Sequence, residues 1–306
     1  MGPMNIVHGE NGGRMSLRQM EYLVTVVAEG SFTRAAELLH VTQSALSHQI
    51  KALEREVGGP LLERMTRGVR LTPMGRAYLP HAELAVRSAE QARRAALASG
   101  AARSGELHIA TVHAHAIGVL PEVCVRWGRE YGGVRLVLHE YATTGELYEH
   151  MERGVADVAV GPRPPKWPGP VTVVGEERMV LVLPPGDPLG GRTAVRIEEV
   201  ADRPWVRCAL EPVVAGRRWL DVECERAGFT PRTAVRTQHT STAVRMAAAG
   251  VGVLLTAAHE LTGLDCTAVP TDPPWRREIT VFSRVPPTGA AEHFVDLLRE
   301  AQQYGC

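Results

Sequence analysis

Six polar side chains, Gln43, Ser44, Ser47, His48, Lys51 and Arg55, recur at intervals that place them on one sector of a helix turning about 100° per residue. Leu46, Ile50, Leu53 and Val57 fall on a separate sector. An amide can pair with an adenine edge, hydroxyls serve either strand, and a cation reaches guanine or a phosphate. The stripe therefore suits a helix laid in the major groove of duplex DNA. A solvated amphipathic helix would show the same two faces, and the stripe by itself leaves both readings open.

Positioning such a helix needs a support, a turn and a stop. Leu17, Met20, Leu23, Val24 and Val27 mark a first helix with an apolar face. Gly30 ends it and Ser31 is placed to cap a second, whose apolar face is Ala35, Ala36, Leu38 and Leu39. The chain turns at His40 and Val41, and the Thr42 hydroxyl can cap the polar-striped helix until Gly58 and Gly59 stop it. Leu61 and Leu62 return to the core, and Met65 to Leu71 reads as a hairpin with Gly68 at its tip. Arg67 and Arg70 flank that tip and Arg34 opens the second helix, so these three are candidate phosphate contacts. Exposed arginines on a turn are common, and only their place beside the helix pair favours that role.

The stretch Met15 to Leu79 resembles the DNA-binding region of the LysR-type transcriptional regulators. The helix pair, LEREVG at Leu53 to Gly58, LLER at Leu61 to Arg64 and LTPMG at Leu71 to Gly75 carry the resemblance together. Ser44 departs from it, standing where the family often has Pro, a change that leaves the helix start intact. The resemblance implies a multidomain α+β and α/β chain. Residues 1–14, Gly- and Asn-rich without periodicity, read as a disordered lead or an upstream start choice; the parts the resemblance implies are a winged helix-turn-helix at 15–73 and a linker and dimerisation helix with hinge at 74–102. A two-lobed α/β effector domain resembling periplasmic binding proteins would follow, with one lobe at 103–162 plus 269–302 and the other at 163–268. The implied partners are double-stranded DNA, a small-molecule effector, RNA polymerase, and further copies of the chain in a homodimer or homotetramer.

The linker helix has its own signal. Tyr78, Ala82, Ala85, Ala89, Ala92 and Ala96 are spaced alternately four and three apart, a heptad seam whose small side chains allow close approach of a second helix. Packing through alanines on its own domain is the alternative, and Pro80 is expected to bend the helix or mark its start. Beyond Ala101 to Gly105, strands and helices alternate: Leu107 to Val112, a helix near 120–131, Val134 to Glu140, a helix near 145–153 and Val155 to Val160. A second set follows from Met179 to Leu255, then a strand at Ile279 to Arg284 and a last helix at Ala290 to Gln302. That order implies a mainly parallel sheet covered on both faces. The Pro-rich segments 162–170 and 267–274 are the expected crossings between lobes.

Loops at the carboxyl ends of strands are where an open α/β sheet holds a ligand. Applied here, that rule selects Thr111, His113, His115, Thr143, Thr144, Arg163, Arg207, His239, Ser241, Thr242 and Thr256. Hydroxyls beside imidazoles and guanidiniums suit an anionic or strongly hydrogen-bonding metabolite, although Arg163 and Arg207 fit surface ion pairs equally well. His113 and His115, with His139 and His239 elsewhere, raise the question of a metal, but alternate histidines after a strand point in different directions. Capping or core roles are the simpler assignment, and no metal or other cofactor is expected.

Composition bounds these readings. A chain of 306 residues with 44% hydrophobic residues can build two or three cores. Net charge is formally zero and the pI near 7.2, unlike a small basic nucleic-acid binder, as a reading domain diluted by a larger sensing domain would be. No apolar run approaches a membrane span and no signal pattern opens the chain, so a cytoplasmic protein with no membrane contact is expected. Cys124, Cys208, Cys224, Cys266 and Cys306 show no C-x-x-C spacing, favouring reduced thiols, with a redox pair as the alternative. Two other classes stay in view: a small-molecule-binding protein without a DNA role, and a metal-dependent enzyme on the α/β lobes. The second lacks any Gly-rich phosphate loop, G-x-S-x-G elbow or H-E-x-x-H helix.

Overall fold

The computed structural model describes residues 15–65, 68–99, 105–208, 213–214 and 217–304. The expected N-terminal extension, most of the hinge, Arg67 and Cys306 lie outside the described residues. Two compact units divide the chain, Met1–Ala92 and Arg93–Cys306.

In the first unit, α1 (Leu17–Glu29), α2 (Phe32–Leu38) and α3 (Gln43–Val57) precede a hairpin of β1 (Leu62–Arg64) and β2 (Val69–Leu71), and α4 (Pro73–Ser99) follows, its last residues from Arg93 on belonging to the second unit. Ser16 and Gln19 form a reciprocal capping box on α1, Gly30 leaves it at φ 60°, and Ser31 and Thr42 cap α2 and α3. His40 takes φ 52° to make the tight turn between those helices. Leu23, Val26, Ala35, Ala36, Leu46, Ile50, Leu53 and Leu61 form the core.

Three details differ from the sequence reading. The buried stripe of α1 is Gln19, Tyr22, Leu23 and Val26, with Leu17 exposed, because Gln19 turns inward to close its capping box and reach Gln49. Leu38 is 59% exposed, since the short α2 buries only the side carrying Ala35 and Ala36. The wing strands begin at Leu62 rather than Met65. Glu54, late on α3, accepts the backbone N–H groups of Leu61 and Leu62 at 2.9 and 3.1 Å and so ties the wing to that helix.

The helix α4 runs through Pro80 without a break. Thr72 accepts from the Gly75 backbone at 2.9 Å at its start, and the turn is tight enough that a Cβ on Gly75 would stand 2.1 Å from the Leu61 carbonyl oxygen. Gly75→Ala is expected to cost about 1–3 kcal/mol through overpacking against backbone. A circular dichroism melt should show this as a lower transition for the first unit, while tryptophan fluorescence, which arises only from the second unit, stays put.

The second unit contains β3 (Gly105–Val112), α5 (His113–Gly118), α6 (Leu120–Glu130), β4 (Val134–Tyr141), α7 (Thr144–Glu152), β5 (Val158–Gly161), β6 (Val171–Leu183), β7 (Pro204–Cys208), β8 (Val213–Val214), β9 (Arg217–Arg218), α8 (Trp219–Arg226), β10 (Arg232–Thr237), α9 (Thr240–Ala248), β11 (Leu254–Ala257), β12 (Thr267–Pro270), β13 (Arg276–Phe282) and α10 (Ala290–Tyr304). The main sheet has the order β11-β6-β13-β5-β3-β4, with β12 also on β6. It is mixed rather than mainly parallel: β3 pairs parallel with β4 and β5, but β13 runs antiparallel to both β5 and β6.

The long β6 is the main departure. Its strand begins at Val171 rather than Met179, pairs with β13 through Arg178, and then carries β11 and β12 on Met179 to Leu183. The chain thus passes from one half of the domain to the other inside a hydrogen-bonded strand, and segment 162–170 packs at the end of β13 through the Trp167 indole bond to the Ser283 carbonyl, 2.8 Å. Separate apolar clusters fill each half, one around Ile109, Val158 and Phe294 and one around Leu181, Trp205 and Val253. A third, with Ala110, Val206, Val244 and Phe282, joins them.

Candidate functional site

The two faces of α3 separate as their spacing requires. Leu46, Ile50 and Leu53 are buried, whereas Gln43, Ser44, His48, Lys51 and Arg55 are exposed and Ser47 half-buried. Thr42 is spent at the N-terminus, accepting from the Ala45 backbone at 3.2 Å and meeting Ser44 at 3.1 Å. Arg34 is exposed but bonded to the Glu29 carbonyl and side chain, and Arg70 is held by Glu63 at 2.6 Å across the hairpin. Both cations begin with an intramolecular partner that a phosphate would have to displace. Exposed pairs of this kind contribute about 0–1 kcal/mol, so displacement costs little.

Along α4 the heptad positions are not equivalent. Tyr78 packs on the core of the first unit and Ala82 is buried, while Ala85 and Ala89 are half-buried and Ala92 and Ala96 exposed.

The eleven residues selected by the strand-end rule divide into three fates. Some are consumed by the fold. Thr111 is buried and donates to the Val160 carbonyl at 2.9 Å, and Thr143 caps α7 in a capping box with Glu146, leaving Thr144 as the first helical residue. Arg163 is exposed and paired with Glu278 at 2.7 Å.

A second group gathers around the first turn of α9. The short helix α5, which no sequence pattern announces, sends alternate histidines to opposite sides. His113 faces outward to Glu140 at 2.8 Å and lies edge-on to His239, with ring centroids 5.8 Å apart. Ser241, half-buried, and Thr242, exposed, follow His239 at the helix start.

The third group turns inward to a network that sequence reasoning missed. His115 is fully buried, and its Nε2 lies 3.3 Å from Oε2 of Glu177. The same oxygen receives Nε2 of His259 at 2.6 Å, and the other carboxylate oxygen is bonded by Arg277 Nε. Glu177 and Arg277 stand directly opposite on β6 and β13. Burial alone would push the Glu177 carboxyl up, but the Arg277 guanidinium, followed by His115, holds it well below the usual carboxylate range. Nearby, Thr256 donates to Glu260 at 2.5 Å, and burial pushes that carboxyl up.

Arg277, Glu260 and Thr256 line a small pocket of about 20 Å³, partly open to solvent, with Met179, Cys208 and Trp219. Arg207, buried on β7, is bonded to Asp221 of α8. The missed residues carry no local signal: Glu177 lies 62 residues from His115 and 82 from His259.

Tyr148, half-buried on α7, donates to the Pro162 carbonyl at 3.2 Å, and burial pushes its phenol up to about 12. A phenol raised above its ordinary 10.0 contributes stability that is complete below pH 10 and lost as pH rises through about 12. Near-ultraviolet titration should therefore show a late tyrosine step, and Tyr148→Phe should abolish it. Persistence of that step in the variant would refute the assignment.

Comparison with known proteins agrees with this geometry. Residues 17–76 match the model of the bacterial regulatory helix-turn-helix protein, lysR family, and residues 100–303 that of the LysR substrate binding domain. The HTH-type transcriptional regulator ShiR of Corynebacterium glutamicum (strain R) is 32% identical, over 79% of this chain and 82% of its own. BudR of Raoultella terrigena is also 32% identical, over 79% and 84%. Full-length CbnR, solved in complex with its target DNA, shares the fold with a TM-score of 0.68 at 22% identity, covering 94% of this chain and all of that one. A helix-turn-helix with an exposed polar stripe, joined by one helix to a two-part α/β domain, places this chain in the LysR family as a ligand-responsive, DNA-binding transcriptional regulator and not an enzyme.

Proposed function

We propose that the exposed stripe of α3 reads an inverted-repeat promoter site and that a small anionic or strongly hydrogen-bonding metabolite switches the reading. Gln43, Ser44, Ser47 and His48 meet base edges, Lys51 and Arg55 meet guanine or phosphate, and Arg34, Arg67 and Arg70 hold the backbone. The observation that carries this reading is the separation of α3 into a face of buried Leu46, Ile50 and Leu53 and a polar face exposed at every position but half-buried Ser47. CbnR, bound to its target DNA, provides a precedent in the same fold.

Two copies joined through Ala85, Ala89, Ala92 and Ala96 present two such helices, as a homodimer or as half of a homotetramer. With Tyr78 and Ala82 covered within the chain, the later part of the seam is the part available for pairing. The effector lies near His113, His239, Ser241 and Thr242, where the first turn of α9 presents backbone N–H groups with no side-chain cap. Arg163 and Arg207 have acidic partners, so anion affinity there rests on the imidazoles and hydroxyls. No helix among the described residues is long and apolar enough to cross a membrane, in keeping with action in the cytoplasm, where RNA polymerase is a further partner.

A redox-sensing reading draws no support from the described thiols. Cys208 and Cys224 are buried, and burial pushes the thiols of Cys124 and Cys266 up, away from the thiolate.

Footprinting of the full chain should reveal protection of a roughly palindromic site near its own or a neighbouring promoter. Equal affinity for that site and for bulk DNA would overturn the reading. For the effector, a thermal-shift screen of metabolites should lose its response in Ser241→Ala and His239→Ala; hits that survive both changes place the ligand elsewhere.

A further inference from the structure

We propose that His115, Glu177 and His259 form a binding site for a borderline divalent metal ion such as zinc. Each residue offers one ligand atom, and the three atoms lie within 4.8 Å of one another. Among the described residues this is the only set of three His, Cys, Asp or Glu side chains so arranged.

Two imidazoles and one carboxylate match the three protein ligands of many zinc sites. An ion with bonds of about 2.0–2.1 Å in tetrahedral geometry spaces its ligand atoms about 3.3 Å apart. His115 Nε2 already stands 3.3 Å from Glu177 Oε2. His259 Nε2, at 2.6 Å, has to withdraw by about 0.7 Å on the same geometry, and the two imidazole nitrogens, now within 4.8 Å of each other, have to settle at that same spacing. The two rings are tilted by 48° with centroids 5.7 Å apart, so they converge on the shared oxygen without stacking on each other.

The surroundings hold these ligands in place. Arg277 occupies the other carboxylate oxygen, which aims Oε2 at the rings. Gly118 gives His259 its room, because a Cβ there would fall 2.0 Å from His259 Nδ1. Glu260, which lines the neighbouring cavity with Arg277, brings a second buried carboxyl within electrostatic reach of that guanidinium. As hydrogen bonding alone, the cluster is poorly matched: two rings compete for one oxygen, and Nδ1 of each is buried without a partner. Metal bonds at Nε2 remove that competition. They leave Nδ1 without the outer hydrogen bond that contributes roughly 10–100-fold to metal affinity, so binding weaker by about that factor than at a site with both outer bonds is expected.

An ion here would join α5, the middle of β6 and the turn after β11, elements that belong to different parts of the domain. Neither the DNA-reading stripe nor the effector region near His113 and His239 supplies a ligand to it.

The test uses untagged full-length protein stripped with chelator and then exposed to Co²⁺ or Zn²⁺ alone. One Co²⁺ per chain should produce a saturable visible absorbance that Zn²⁺ displaces, and Zn²⁺ at about 100 times its Kd should raise the Tm by about 5–10 °C. His115→Gln and His259→Gln should lose both signals, while His113→Gln and His108→Gln keep them. Should His115→Gln fail to fold, the less buried His259, 18% exposed at its side chain, decides the matter. Absence of metal uptake by the parent chain, or uptake that His259→Gln leaves unchanged, overturns the proposal.

Discussion

Glu177→Ala should lower the stability of the second unit by about 3–5 kcal/mol, the loss typical of breaking a buried ion pair from one side. The Glu177 side chain is fully buried, and its carboxylate is the common acceptor for Arg277, His115 and His259. Its removal leaves a guanidinium without that counter-charge, and the buried His115 ring and half-buried His259 ring without their acceptor. Glu177→Gln keeps the shape but not the charge, and should fall between parent and Ala. Breaking the exposed Arg163–Glu278 pair by Arg163→Ala provides the contrast, with an expected change of about 0–1 kcal/mol. All five tryptophans lie in this unit, so denaturant unfolding followed by fluorescence reads it directly. A loss below about 1 kcal/mol for Glu177→Ala would show that the network does not organise the domain.

The second large effect falls on base recognition. In Gln43→Ala with Ser47→Ala, discrimination between the operator and its single-base variants should fall by about 1–3 kcal/mol for each side chain that pairs with a base, roughly 5–150-fold. Both residues lie on the polar side of α3 and neither is part of the core, so the fold should be unaffected. Lys51→Ala should behave differently, weakening binding to all sequences and reducing the salt dependence by about one counterion. Titrations of operator and scrambled duplexes at several salt concentrations separate these outcomes. A double variant that retains the parent preference would show that another surface reads the bases.

The residues behind these two effects differ in how visible they are in the sequence. The α3 stripe can be read from spacing, because residues three and four apart on a helix must share a face wherever that helix packs. Caps at Ser31 and Thr42 and the stop at Gly58 are equally local, each satisfying or ending backbone hydrogen bonds within a few residues. Leu17 and Leu38 mark the limit of such reasoning: both are apolar, and both are exposed where a capping glutamine or a short helix takes the inward position.

The ligand domain is legible as an alternation of strands and helices but not in its pairing. The apolar run of β6 opens at Met179, whereas the strand continues back to Val171 because β13 supplies hydrogen-bond partners there. Likewise the HAH motif reads as a loop after a strand, and the short helix α5 decides that His113 looks outward and His115 inward.

By itself the sequence determined which helix could read DNA, where that helix starts and stops, and that an α/β domain follows, since each depends on near neighbours in the chain. Only the tertiary structure decided that Glu177 meets His115, His259 and Arg277, across separations of 62, 82 and 100 residues. Strand register sets that meeting, and register depends on partners that no local pattern names.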